Sequence, residues 1–212
     1  MDTLILFDLD GTLLDSLGDL TDSTNHTLQQ YGCPTRTIDE IRSFVGNGAE
    51  MLIRLALPGK ENDPPVDRVL ASYKEYYAAH SRIKTKPYAG IPEALEKISK
   101  KHKVAIVSNK PDKATKLLAR ELFGGMPAWG ESAACQRKPA PDMLYRAMQE
   151  LGVSKCIYVG DSEVDVLTAK NAGVPCLSVL WGFRDKQCLL EAGAEHFCES
   201  PHQLAQMIEK MV

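Results

Sequence analysis

The sequence specifies an α/β protein, a Rossmann-like parallel-sheet core with an α-helical cap domain inserted after the first strand. Three observations predict this. Short apolar runs alternate with amphipathic helical patterns through the last two thirds of the chain, the signature of right-handed crossovers in a parallel sheet. The segment 16–82 interrupts that pattern and carries helical periodicity only. Acidic or polar turns follow the apolar runs, at the sheet edge where ligands bind in open α/β folds.

The first run, Thr3 to Phe7, leads into Asp8-Leu9-Asp10-Gly11 and reads as a buried strand ending in a turn. Similar runs lie at Val104 to Val107, Ile157 to Val159 and Val174 to Val179, with a shorter one at His196 to Cys198. Helices are expected over Pro111 to Phe123, Asp142 to Leu151, Glu163 to Ala172 and His202 to Met211. Pro111, Pro141 and Pro201 stand at or before first turns, and Gly152 and Gly173 just past helix ends.

Within the insertion, Leu17, Leu20, Thr24, Leu28 and Tyr31 mark one helix face. Thr37 and Glu40 form a capping-box signature for a second helix. Ala49 to Leu57 and Pro65 to His80 give a third and a fourth, the last with Val66, Val69, Leu70, Tyr73 and Tyr77 on one side. The expected division is a catalytic core of residues 1–15 and 83–212 and a cap of residues 16–82, joined by two adjacent linkers near Asp15 and Lys86-Pro87.

Bulk properties limit the function classes. The chain has 212 residues, 44% hydrophobic and 25% charged, with a net charge of -3, ordinary values for a folded domain. There is no clustered basic face of the kind nucleic-acid binding needs, and Lys97 to Lys103 reads as a helix end whose cations complement the dipole. Met1-Asp2 opens directly on an apolar run too short for a signal or a membrane span. A soluble, cytoplasmic protein is expected, monomer or homodimer, with no nucleic acid or membrane partner. Six scattered cysteines without a C-x-x-C pair read as buried thiols. The histidines show no zinc spacing.

Four motifs carry chemistry. Asp8-Leu9-Asp10-Gly11-Thr12 places two carboxylates two residues apart after an apolar strand, where a hard cation would relieve their repulsion. Gly11 allows the sharp turn. By chance, D-x-D-G-T should occur in roughly one chain of this length in several hundred. Gly160-Asp161-Ser162-Glu163-Val164-Asp165 follows another strand and opens a helix. Asp161 suits the metal, with Asp165 one turn on as a water ligand or supporting partner, although plain helix capping fits equally. Ser108-Asn109 precedes a helix and suits phosphate oxygens or a simple N-cap. Lys138-Pro139-Ala140-Pro141 offers a lysine to offset anionic charge, or a solvated side chain. Converging on one sheet edge, they make a magnesium–phosphate site for a small phosphorylated metabolite.

The text Phe7-Asp8-Leu9-Asp10-Gly11-Thr12-Leu13-Leu14-Asp15-Ser16, Ser108-Asn109-Lys110, Lys138-Pro139 and Gly160-Asp161-Ser162-x-x-Asp165 resembles the four motifs of the haloacid dehalogenase superfamily, and the insertion resembles its small helical cap. Within that class, Phe44-Val45-Gly46-Asn47-Gly48, Pro87-Tyr88-x-Gly90 and Trp181-Gly182 resemble phosphoglycolate phosphatases. The resemblance implies a Mg2+-dependent phosphatase with Asp8 as nucleophile, passing through an aspartyl-phosphate. Asp10 is implied as acid then base, its backbone carbonyl on the metal. Ser108 and Lys138, with Asn109, would hold the phosphoryl. Asp8 and Asp161 would ligate Mg2+ with Asp165 supporting them. Dehalogenation is disfavoured, because attack on carbon needs no acid at Asp10.

Asp8 must be anionic and Asp10 protonated when the leaving group departs. An unperturbed Asp, pKa about 3.9, is protonated in only about one molecule in a thousand at pH 7. Asp10 therefore needs a large upward shift or a proton delivered with the substrate. Gly46-Asn47-Gly48 is expected to be a loop touching the leaving group, or else a plain helix–helix turn. Phosphosugar mutase, pyrophosphatase and nucleotidase activities fit the same motifs. A receiver-type phospho-Asp signalling domain would lack both the insertion and Asp10.

Overall fold

The structure is a computed structural model that describes residues 3–59 and 64–212. Met1-Asp2 of the targeting argument and residues 60–63 of the insertion lie outside them. The first strand, β1 (Leu4–Phe7), is wholly buried. It is followed by β2 (Leu14–Asp15), the helices α1 (Leu17–Gln30), α2 (Ile38–Phe44), α3 (Gly48–Ala56) and α4 (Val66–His80), and then β3 (Lys86–Pro87). The remaining chain alternates as α5 (Ile91–Ser99), β4 (Lys103–Pro111), α6 (Asp112–Leu122), β5 (Ala128–Glu131), α7 (Asp142–Glu150), β6 (Cys156–Gly160), α8 (Glu163–Ala172), β7 (Cys176–Val179), α9 (Lys186–Glu191), β8 (His196–Cys198) and α10 (Leu204–Glu209). A 3-10 turn, Pro201–Gln203, leads into the last helix, so the helical pattern from His202 is split in two.

The main sheet is parallel, in the order β5-β4-β1-β6-β7-β8. The chain leaves β1 toward one edge and returns through β6 toward the other, so β1 lies at a topological switch point. Side chains alternate across the strands as a period of two requires. Ile5, Phe7, Ile157 and Val159 pack with residues of α5, α6 and α10 on one face. Leu4, Leu6 and Tyr158 pack with α7 and α8 on the other.

The sequence reading gave no bounds for α5, α9, β2 or β3, and it missed two features that shape the site. β5 has four residues, one a glycine, directly after Pro127, which is too little for a periodic signal. β4 also runs past Val107 to Pro111, and its register on β5 shifts between those two residues. This bulge turns Ser108, Asn109 and Lys110 out of the ladder at the ligand edge of the sheet. The cysteines divide as well: Cys156 and Cys198 are buried and the other four half-buried.

The inserted helices have their own apolar core, built on Leu17, Leu28, Ile41, Ile53, Val69, Tyr73 and Tyr77. The Thr37–Glu40 capping box is formed at the start of α2. The two connections to the core pair as a short antiparallel ladder, Leu14 with Pro87 and Asp15 with Lys86. Asp19 on α1 fastens the return connection. Its buried carboxylate accepts from the backbone N–H groups of Ile83 (3.0 Å), Lys84 (2.9 Å) and Thr85 (2.8 Å) and from the Thr85 hydroxyl (2.7 Å). Changing Asp19 to Ala orphans these donors. The expected loss is about 3 kcal/mol, read as a lower midpoint in urea unfolding. An unchanged midpoint would show that the junction holds without it.

Candidate functional site

Parallel strands with matched register deliver their following loops to one edge. Phe7 of β1 aligns with Ile106 of β4 and Val159 of β6, so Asp8, Ser108 and Asp161 emerge side by side. Together with Asp10, Asn109, Lys110, Lys138 and Ser162 they line a cavity roofed by Val45, Gly46, Gly48, Ala49, Leu52, Tyr73 and Tyr77 of the insertion. The space open to water inside it is about 60 Å³.

Lys138 is the buried hub. Its ammonium donates to Asp8 Oδ1 at 2.7 Å, Asp165 Oδ1 at 2.8 Å and the Tyr158 hydroxyl at 2.8 Å, which engages all three N–H donors. Burial disfavours its charge, but Asp165 and Asp8 outweigh that and raise its pKa. Asp165 is held low. Burial pushes it up, yet Lys138 and the hydroxyls of Ser162 and Tyr158 overcome the push. Both Asp165 oxygens are occupied, Oδ1 by Lys138 and Tyr158, Oδ2 by the Ser162 hydroxyl and the N–H groups of Asp161 and Ser162. Asp165 therefore sets the positions of Lys138 and the Asp161 loop, and no lone pair of it is left directed at the cavity.

Burial is also the main influence on Asp8. It raises the carboxyl to about 7 against the opposing pull of Lys138. Asp161 is driven well above the usual carboxylate range by burial, then by Asp165 and Asp8. Its partners are neutral, the Thr12 hydroxyl at 2.9 Å and the Phe183 N–H at 2.8 Å. Asp8, Asp161 and Asp165 each place an oxygen within 4.8 Å of the others. Three buried carboxylates, only two of them paired with Lys138, are short of positive charge. An all-oxygen donor set of this kind fits a hard divalent cation, which Asp8 and Asp161 would hold.

Two glycines make room for Asp161. Gly11 turns with φ 87°, a left-handed conformation, and a Cβ there or on Gly182 would collide with the Asp161 side chain. Beside Gly182, Trp181 Nε1 donates to the Thr12 carbonyl at 3.0 Å. The Trp181-Gly182-Phe183 loop thereby pins the acidic loops from behind.

Asp10 stands apart from that cluster. Its carboxylate pairs with Lys110 Nζ at 2.9 Å and accepts from the Ser16 hydroxyl at 2.5 Å. Ser108 is buried at the cavity wall. Its oxygen accepts from Lys110 N at 3.3 Å, and its own O–H has no acceptor among the described residues. The Asn109 side chain is fully engaged. Both N–H bonds of its carboxamide are taken, by Gly46 O and Lys138 O at 3.0 Å each, and its oxygen accepts from Lys138 N at 2.8 Å. Its side chain joins three loops and has no N–H left for phosphate. In the glycine loop, Gly46 and Gly48 line the cavity but Asn47 does not; Asn47 is the N-cap of α3, without a side-chain capping bond.

Sequence reasoning overlooked Tyr158, Lys110 and Arg184. Tyr158 was detectable, since a hydroxyl inside an apolar strand requires a buried partner. Arg184 donates to Glu163 at 2.9 Å and to the carbonyls of Arg42 (2.8 Å), Val45 (2.7 Å) and Ser43 (3.4 Å). It ties the core to the C-terminal end of α2, and no local pattern announces such a contact.

The family profile described as Haloacid dehalogenase-like hydrolase matches residues 5–179, and the chain belongs to that family of hydrolases. Among its relatives is the phosphoglycolate phosphatase of Pseudomonas syringae pv. tomato, 36% identical over 89% of this chain and 73% of the relative. The phosphoglycolate phosphatase of Pseudomonas putida is 36% identical over 85% of this chain and 70% of its own length. A crystal structure from Lactobacillus delbrueckii subsp. bulgaricus, provisionally named a phosphoglycolate phosphatase, superposes with a TM-score of 0.88 at 36% identity, covering 98% of this chain and 99% of that one. No helix among the described residues is long and apolar enough to cross a membrane.

Proposed function

We propose that the protein is a Mg2+-dependent phosphatase that hydrolyses a small phosphate monoester of the 2-phosphoglycolate type through an aspartyl-phosphate on Asp8. One observation carries the reading. Asp8 and Asp10 face the same cavity, but each is held by a different lysine, Asp8 by Lys138 and Asp10 by Lys110. Two carboxylates with separate partners can take separate roles.

In this reading Asp8 attacks phosphorus with its Oδ2, which has no hydrogen bond to the described residues, while Lys138 fixes Oδ1. The Ser108 hydroxyl holds a phosphoryl oxygen, and the buried Lys138 ammonium, its three N–H donors engaged by Asp8, Asp165 and Tyr158, offsets the phosphoryl charge. Asp10 gives a proton to the departing oxygen, then takes one from the water that hydrolyses the acyl phosphate. Bound Mg2+ would neutralise phosphoryl charge beside Asp8 and Asp161. The α1–α4 insertion acts as a cap that keeps water out, and the smallness of the cavity supports a short substrate over a nucleotide. The relatives' names support the glycolate ester in particular.

A phosphate-release screen over small phosphorylated metabolites with Mg2+ tests the proposal. 2-Phosphoglycolate is expected among the best substrates, with free phosphate as product. Release of an isomeric phosphosugar instead would make the protein a mutase. The cap role has its own test in Arg184→Ala, which unfastens α2 from the core. It is expected to lower kcat/KM for the best metabolite by about tenfold or more, and to affect an activated aryl phosphate less, since its good leaving group needs little help from closure. Equal losses on both substrates would argue against closure as the cause.

A further inference from the structure

We propose that Lys110 and Tyr77 form the leaving-group subsite and bind a carboxylate carried close to the ester oxygen, so that this pair, one residue from the β4 bulge and one from α4, selects an anionic leaving group. The proposal rests on the phosphatase reading above and adds to it the residues that choose the substrate.

Among the described residues, the cations lining the cavity are Lys138, Arg184 and Lys110. The three donors of Lys138 are engaged with Asp8, Asp165 and Tyr158. Four of the five donors of Arg184 are engaged with Glu163 and the carbonyls of Arg42, Ser43 and Val45. Lys110 is 6% exposed and has two partners, Asp10 at 2.9 Å and the Tyr77 hydroxyl at 2.6 Å. An ammonium carries three donors, so one N–H of Lys110 is without a partner among the described residues. A buried ammonium with an unused donor is costly unless an anion completes it.

Tyr77 supplies a second donor. Its oxygen accepts from Lys110, and its own O–H has no acceptor among the described residues. Burial, then Asp10 and Asp19, keep that hydroxyl protonated. The stacked Tyr73 ring, 5.5 Å away between centroids, holds it in place. The Lys110 N–H and the Tyr77 O–H therefore lie together, as a carboxylate's two oxygens require.

Their location determines what they contact. Asp10 must reach the leaving oxygen, and Lys110 Nζ sits 2.9 Å from the Asp10 carboxylate on the insertion side. Atoms one or two bonds beyond the leaving oxygen thus fall beside Lys110 and Tyr77. The phosphoryl end faces Ser108 and Lys138, so these two donors are left for the far end of the substrate.

The test compares kcat/KM for 2-phosphoglycolate and for ethyl phosphate, which has the same short leaving group without the carboxylate. It is run with Mg2+ on the unmodified enzyme, Lys110→Met and Tyr77→Phe. The unmodified enzyme should favour 2-phosphoglycolate, and that preference should fall about tenfold or more in Lys110→Met and several-fold in Tyr77→Phe. Activity falling on both substrates with the preference intact would overturn the proposal, because Lys110 would then serve only to place Asp10. Should Lys110→Met fail to fold, by circular dichroism, Tyr77→Phe decides alone, since it removes a single oxygen. An unmodified enzyme that releases phosphate from both esters without preferring the carboxylate would sink the subsite but leave the phosphatase reading standing. Release from neither, nor from any other monoester, would overturn both.

Discussion

Changing Asp8 to Asn is expected to abolish turnover, by on the order of a thousandfold or more in kcat, while the fold persists. The amide is nearly isosteric with the carboxylate but cannot attack phosphorus. The burial that raises the Asp8 carboxyl to about 7 penalises charge, and a neutral amide escapes that penalty. Lys138 retains Asp165 and Tyr158 as partners at 2.8 Å each, so the hub survives. Stability should therefore hold or rise slightly while phosphate release disappears. The decisive measurement pairs a steady-state assay with urea unfolding on the same preparation. A second comparison, Asp10→Asn, separates the two carboxylates. It should slow esters with poor leaving groups most and aryl phosphates least, because an activated leaving group departs without a proton. Near-normal turnover in Asp8→Asn, with activity lost only in Asp10→Asn, would place the nucleophile elsewhere.

The acidic edge of the sheet was legible because it is local. An apolar strand running into Asp8-Leu9-Asp10-Gly11, and another into Gly160-Asp161, each declare themselves within ten residues. Strand alternation with helices then brings those turns to one edge by topology alone. The helices of the insertion were legible for the same reason, down to the Thr37–Glu40 box. What periodicity cannot report is the surface a buried face packs against. Tyr73 and Tyr77 read as one side of an amphipathic helix, and that side does contribute to the core of the insertion, yet both rings also line the cavity. Lys110 stood in plain sight beside Ser108 and Asn109, but its contact with Asp10 spans a hundred residues. The bulge that presents it comes from pairing with β5, the strand that a glycine and a preceding proline hid. Arg184 meets only backbone carbonyls and Glu163, and carbonyls leave no trace in a sequence.

Removing divalent cation should silence the enzyme, and adding Mg2+ should restore it, because the carboxylate cluster lacks positive charge of its own. Lys138 serves Asp8 and Asp165 together, whereas Asp161 has only the Thr12 hydroxyl and the Phe183 N–H. Without a cation the cluster favours holding protons, since burial first, and the neighbouring carboxylates after it, drive Asp161 far up and Asp8 to about 7. A cation must displace those protons in order to bind. The sign follows: below pH 7 Asp8 is mostly protonated and cation affinity is weak, and it strengthens as pH rises through that value. Each displaced proton makes affinity change about tenfold per pH unit on the acid side. Titrating Mg2+ at several pH values, by calorimetry in two buffers of different ionisation enthalpy, should show proton release that declines above pH 7. Calcium should bind yet support turnover poorly. Its larger and looser shell would leave Asp8 displaced from phosphorus, where misplacement by about an ångström costs on the order of a hundredfold. Full activity in excess chelator, or Mg2+ affinity indifferent to pH between 5 and 8, would mean that the charge on these carboxylates is balanced some other way.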